Sequence, residues 1–264
     1  MVEYRQIRKT MYDVQLRRWG DLLNIKSPYS LCKAIYYIET ALLFLFITQN
    51  IIKSPNFITF LYALTGVIGP FLLCSSQQAW FYTGALMVFT KGTFDWADGP
   101  LARRLNKSSF VGGVLDSYGA YVSDVAFRLV FIYYTLGYFS ELMFLFPVFS
   151  FMLVVTDFRL FTDSQYLTVS LDVSKNKIRD DTYHNDIRND HSRDGVLKKW
   201  YLRYVSFLDD RARSIDSLLL ILVIDFVLGY DLSIFLLAIS ICIIIRAIIM
   251  YVAGVYFVFK VYKE

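Results

Sequence analysis

Asp95 and Asp98 stand three residues apart and are followed by Gly99 and Ala102. On a helix these four positions fall within about 100° of one face. Two carboxylates then share a face with two nearly bare positions, so hard oxygen ligands sit where a ligand can approach the backbone closely. Such ligands suit Mg²⁺ or Mn²⁺, which keep several waters and bind through a few carboxylates plus substrate phosphates. A substrate carrying a phosphate or diphosphate is implied. Further on, Gly112, Asp116, Ala120 and Asp124 recur at intervals of four, a stripe that turns about 40° and rises about 6 Å per step. Asp116 is placed to face Asp95 and Asp98 across a helix pair and to complete a metal cluster. Asp124 lies about 12 Å deeper than Asp116, where an idle carboxylate is costly.

Cations accompany these acids. Arg103, Arg104 and Lys107 follow the first pair and serve either to neutralise phosphates or to snorkel to a membrane boundary. Arg128 comes one turn after Asp124, a spacing that permits an ion pair and would make Asp124 structural. Arg246, inside ICIIIRAIIMY, is similarly deep and must pair or reach water. Pro100 directly after Gly99 disfavours helical geometry at Gly99 and predicts a local kink. His184 and His191 have no ligand spacing around them and read as ordinary loop histidines. Cys32, Cys74 and Cys242 stand singly in apolar surroundings and read as buried small hydrophobes.

The elements that must position these residues follow from composition. Apolar residues make up 56% of the 264 residues, and the mean hydropathy is +0.44, above what an ordinary soluble domain carries. An all-α, polytopic membrane helical bundle is expected, with six transmembrane helices at about 57–73, 79–94, 111–136, 142–155, 215–228 and 234–258. Links at 75–78, 137–141 and 229–233 are short and lack Lys and Arg, as outer turns do. Residues 1–33 carry seven Lys or Arg, and 158–213 carry eleven beside nine Asp. Both therefore face the cytoplasm, which places both termini and the acid cluster on that side. The stretch 32–52 is read as an N-terminal helix in the membrane interface, because a seventh span would put the basic N-terminus outside. The organisation is a cytoplasmic and interfacial region, 1–53, then a membrane domain, 54–264, with a polar insertion at about 158–213. That insertion is too poor in hydrophobes to form a core. The net charge of +4 is concentrated in these polar segments and suits anionic lipid headgroups, not nucleic acid. No cleavable leader is visible in the polar first thirty residues.

The pattern Asp95-x2-Asp98-Gly99-x2-Ala102-Arg103-x8-Gly112-x3-Asp116 resembles the signature of the CDP-alcohol phosphotransferases, and SPNFIT at residues 54–59 resembles that family's lead-in to its first span. The resemblance implies a phospholipid-biosynthetic enzyme that moves a substituted phosphate from a CDP-linked donor, such as CDP-diacylglycerol, to an alcohol acceptor, releasing CMP. It implies that Asp95, Asp98 and Asp116 hold two divalent metals, Mg²⁺ or Mn²⁺, on the diphosphate, while Gly99, Ala102, Arg103 and Gly112 shape the nucleotide pocket. Membrane lipids are partners, and a homodimer is compatible with the family. The family's pattern ends with a further aspartate, thought to be metal ligand and general base, where this chain has Ala120. Alanine can do neither. Asp124, one turn deeper, is the remaining candidate for a catalytic carboxylate. Three readings stay open: an active variant with its base elsewhere, a CDP-lipid-binding pseudoenzyme, and an engineered substitution at an active enzyme's base. Arg159, Arg211 and Arg213 flank the insertion and are candidates to receive an anionic acceptor. A non-catalytic transporter with buried acids, or an aromatic prenyltransferase, would have no need of the Gly-x2-Ala-Arg extension.

Overall fold

The computed structural model describes residues 5–13, 28–107, 109–155, 211–229 and 231–261, and the regular structure among them is helical. Helix α1 covers 5–13, α2 Pro28–Thr48, α3 Pro55–Leu72, α4 Gln78–Thr90, α5 Gly92–Arg104 and α6 Phe110–Gly137. A 3₁₀ segment, Ser140–Leu145, leads into α7, 146–155, and α8 (Arg211–Leu228) and α9 (Ser233–Val261) follow.

Local chemistry sets the boundaries that matter for the site. Pro55 begins α3 behind an extended Ser54, a position where its missing N–H costs nothing. The Gly112 N–H donates to Ser109 Oγ at 3.0 Å, capping α6. α5 runs on through Pro100 to Arg104, so the expected kink does not interrupt it. It closes at Asn106, whose φ of 53° is left-handed, with the Lys107 N–H bonded to Ala102 O at 2.8 Å.

α4 runs back against α3 and continues through the helical Lys91 into α5 in the same direction, and α6 then runs back against α5. α3 turns at 73–77 into α4, with the Gly69 carbonyl 2.6 Å from where a Cβ on Gly84 would lie. α3 also packs on α6 at a crossing with no room for a side chain: a Cβ on Gly66 would fall 1.9 Å from Ser123 Oγ. Small residues bring the helix axes close in this way. The main core joins Leu73, Phe81, Val88, Phe127, Phe131, Leu222 and Leu236, and Phe81 stacks on Phe226 with centroids 3.8 Å apart. At the end away from the acids, Asp225 is buried and accepts from Tyr134 Oη (2.8 Å), Tyr138 Oη (2.6 Å) and the Leu232 N–H (3.1 Å). Gly229, at φ 60°, makes the turn there.

Helix α2 is held alongside α5 and runs in the same direction. Tyr37 Oη donates to Phe89 O at 3.0 Å, Phe44 packs edge-on to Phe94, and Ala41 and Leu45 share a cluster with Ile58, Ala97 and Leu101. Its first turns reach the start of α8, where Lys33 pairs with the buried Asp216, and its last turns reach the start of α3. α1 docks on α2 through Arg8 and Tyr12, which both donate to Glu39.

Among the described residues, Pro55–Leu72 is the helix both long and apolar enough to cross a membrane, with Ser140–Val155 and Ser233–Ile249 as shorter apolar helices. The expected count of six spans is thus not reproduced by length and composition. The reason lies in the helices themselves: α4 has 13 residues, α6 carries Asp116, Asp124 and Arg128, and α8 carries Asp216 and Asp225. Large apolar side chains nonetheless face outward around the bundle, among them Ile47, Phe71, Leu86, Phe144, Phe151, Leu220 and Ile249. Cys32, Cys74 and Cys242 are also exposed, correcting the expectation that they are buried. They stand on these same outward faces, where apolar residues do not mark the interior.

Candidate phosphate and metal site

A cavity of about 190 Å³ opens at the end of the bundle where α3 and α6 begin and α5 ends. The α5 wall is Asp98, Gly99, Ala102 and Arg103; the α6 wall is Ser109, Gly112, Gly113 and Asp116; α3 contributes Pro55, Asn56 and Thr59. The helical spacing explains this convergence, since 95, 98, 99 and 102 lie on one side of α5 and 112 and 116 are one turn apart on α6. Gly112 and Gly113 leave the first turn of α6 bare, and the N-terminal end of a helix favours anions. Lys107 lines the rim and donates to Lys53 O at 3.2 Å. Arg103 folds back over Gly99, whose Cβ would lie 3.4 Å from its Nη1.

The cavity therefore has an acidic floor and a basic rim. Thr59 Oγ1 donates to Asp98 Oδ2 at 2.8 Å. Burial pushes the Asp98 carboxyl up to about 6, opposed by the Thr59 hydroxyl, the Gly99 N–H and Arg103, while Asp116 adds to the rise. Asp95 stands behind the cavity wall, with its carboxyl facing that of Asp116 within electrostatic reach. Burial and then the Asp116 charge raise Asp95 well above the usual carboxylate range. One oxygen of Asp116, Oδ1, is buried without a hydrogen-bond partner.

An orphaned carboxylate oxygen beside a second carboxylate is where a hard cation fits. Among the described residues no group of three or more His, Cys, Asp or Glu is arranged to hold a metal by itself. The donor set accordingly fits an ion held by two carboxylates, its other positions filled by water and phosphate oxygens, as Mg²⁺ is commonly bound.

Of the residues singled out in the sequence, Asp98, Gly99, Ala102, Arg103, Gly112 and Asp116 come together around one cavity, with Asp95 joined to them through Asp116. Asp124 does not line it. Its Oδ2 accepts from Arg128 Nη2 at 2.9 Å, both side chains being buried. Ala120 lies between Asp116 and Asp124, partly buried. Arg246 lines a separate apolar cleft that also contains Arg128. Arg159, His184 and His191 lie outside the described residues, as do the side chains of Arg211 and Arg213, whose backbone opens α8.

Sequence reasoning missed Asn56, Thr59, Ser109 and Lys91. Asn56 and Thr59 are three apart in SPNFIT, a helix-face spacing that was there to be used. Lys91, between α4 and α5, lies within electrostatic reach of Asp95 and Asp124; its signal was a lysine at the polar end of an apolar run.

Residues 52–179 match the family model described as CDP-alcohol phosphatidyltransferase. No curated protein and no solved structure matches the chain.

Proposed function

We propose, from the match of residues 52–179 to the CDP-alcohol phosphatidyltransferase family model, an integral-membrane transferase that moves a substituted phosphate, such as phosphatidyl, from a CDP-linked donor to an alcohol. The observation that carries the proposal is the single cavity in which Asp98 and Asp116 meet Gly99, Ala102, Arg103 and Gly112. In the reaction, the acceptor oxygen forms a bond to the donor's distal phosphorus, the bond from that phosphorus to the bridging oxygen breaks, CMP leaves with the electron pair, and the hydroxyl proton is lost. A bound Mg²⁺ or Mn²⁺, held by Asp98 and Asp116 with Asp95 behind them, would offset diphosphate charge. Arg103, Lys107 and the bare N-terminal turn of α6 hold the phosphates at the rim, and Gly99, Ala102 and Gly112 let the nucleotide lie against the backbone. Thr59 orients Asp98. The outward apolar faces support a bundle embedded in lipid, with the cavity and both termini on the cytoplasmic side, where the basic segments lie. Six crossings are part of this proposal.

The experiment measures CMP release by the purified protein with CDP-diacylglycerol, Mg²⁺ or Mn²⁺ and a panel of alcohols. Metal-dependent CDP binding that persists in Asp98→Ala and Asp116→Ala refutes the site.

A second reading, favoured by Ala120 and by the engagement of Asp124 with Arg128, is a family member that binds the CDP-lipid without turnover. CMP release by the Ala120→Asp variant alone supports it; release by the unaltered chain excludes it.

A further inference from the structure

Lys91 joins α4 to α5 in helical conformation, its N–H bonded to Met87 O at 2.9 Å. One turn beyond it is Asp95, whose carboxyl meets that of Asp116 across the gap to α6. The two rods run in opposite directions. One turn back from Asp95 and one turn on from Asp116 therefore arrive at Lys91 and Ala120. Tyr62 backs this spot. The Lys91 ammonium lies 6.0 Å from the Tyr62 ring centroid, and a Cβ on Gly119, next to Ala120, would lie 3.1 Å from the same ring. The field of the ammonium reaches Asp95 on one side and Asp124 on the other. The Lys91 amine thus stands across from the alanine, beside Asp95 and against the Tyr62 ring.

We propose that Lys91 takes the electrostatic place of a second divalent cation, so that the site holds one such ion, at Asp98 and Asp116, instead of two. The inference rests on the CDP-donor reading above and deepens it. Two features of the chain lead to it. Ala120 presents no oxygen, so a further ion beside Asp116 lacks the donor it would need. An ion at that spot would also face an ammonium in a poorly solvated gap, where like charges repel more strongly than in water. Within the site Lys91 acts on Asp95 and Arg103 on Asp98, so one divalent ion at Asp98 and Asp116 completes the countercharge of the three acids. As a compact point charge with three donors, the ammonium can also serve a phosphate oxygen directly.

Counting bound Mn²⁺ by electron paramagnetic resonance, on detergent-purified full-length protein with saturating CDP, tests this without reference to turnover. The unaltered chain, Ala120→Asp and Lys91→Gln are each expected to bind one ion. The Lys91→Gln/Ala120→Asp double variant is expected to bind two, because only there is the donor present and the ammonium gone; Lys91→Met replaces Lys91→Gln if the latter does not fold. Two ions on the unaltered chain, two on Ala120→Asp alone, or one on a folded double variant overturn the inference and leave the CDP-donor reading standing. No bound ion, with CDP neither binding nor altering the count, overturns that reading instead.

Discussion

Replacing Arg128 by Met strands the Asp124 carboxylate in the bundle. The pair is 2.9 Å apart with side-chain exposures of 5% and 6%, and Asp124 Oδ1 is already buried without a partner. Removing one member of such a buried pair costs about 3–5 kcal/mol. Because the charge of Lys91 also reaches Asp124, the lower end, about 3 kcal/mol, is expected. For a chain of this size that lowers the melting temperature by about 10 °C. The double variant Asp124→Leu/Arg128→Met exchanges both charges for apolar groups of similar volume and should recover most of the loss, since such exchanges are often neutral. Thermal unfolding in detergent measures both, and CMP release is followed in parallel. Equal destabilisation of single and double variants would refute the pairing argument. A double variant that melts like the unaltered chain yet has lost its turnover would show that Asp124 acts in the chemistry, contrary to its placement outside the cavity.

Gly66→Ala should destabilise by about 2–3 kcal/mol through overpacking, because its Cβ would lie 1.9 Å from Ser123 Oγ; a second change, Ser123→Gly, should restore the melting temperature, and failure to do so refutes the contact. Thr59→Val removes the donor to Asp98 Oδ2 and should weaken Mn²⁺-dependent CDP binding about fivefold, equivalent to about 1 kcal/mol, without unfolding the protein; unchanged affinity in a binding titration refutes it. The raised Asp98 carboxyl, at about 6 against an ordinary 3.8, penalises the folded state only once ionised. The Asp98 share of metal-free stability should therefore fall as pH rises from 4 to 6, by at most about 3 kcal/mol, and Asp98→Asn should make chelator-treated melting curves less steep in pH, leaving the share of the likewise raised Asp95. Lys33→Met removes an ion-pair partner of the buried Asp216, with side-chain exposures of 10% and 8%, and should cost about 3 kcal/mol; a melting temperature within a degree of the unaltered chain counts against it.

Most of the helix layout was legible because apolar runs end where helices end. The expected 57–73 corresponds to Pro55–Leu72, 111–136 to Phe110–Gly137, and 234–258 to Ser233–Val261. The second run was different. Hydropathy stops near Phe94, but the helical rod continues as α5, because its polar face lines the cavity while Ala97 and Leu101 pack on Ile58 and α2. Hydropathy reads surroundings, and a helix with a site on one side has two kinds. The spacing of 95, 98, 99 and 102 gave the shared face of α5 without any structure. What spacing within one helix does not give is the partner across a gap, and so Thr59 and Lys91 were overlooked. The insertion at 158–213 falls largely outside the described residues.

The three donors on Asp225 make one end of the bundle a fixed pivot. Tyr134, Tyr138 and Leu232 tie α6, α8 and the start of α9 to a single carboxylate, so any relative swing of α8 is leveraged towards its other end. Asp216 is nine residues back along α8, a lever arm of about 13 Å, and a tilt of about 4° moves it by about 1 Å. At that far end Lys33 on α2 pairs with Asp216. The two ends of α8 are thus anchored by different chemistry, a carboxylate shared by three hydrogen-bond donors at one and an ion pair to α2 at the other.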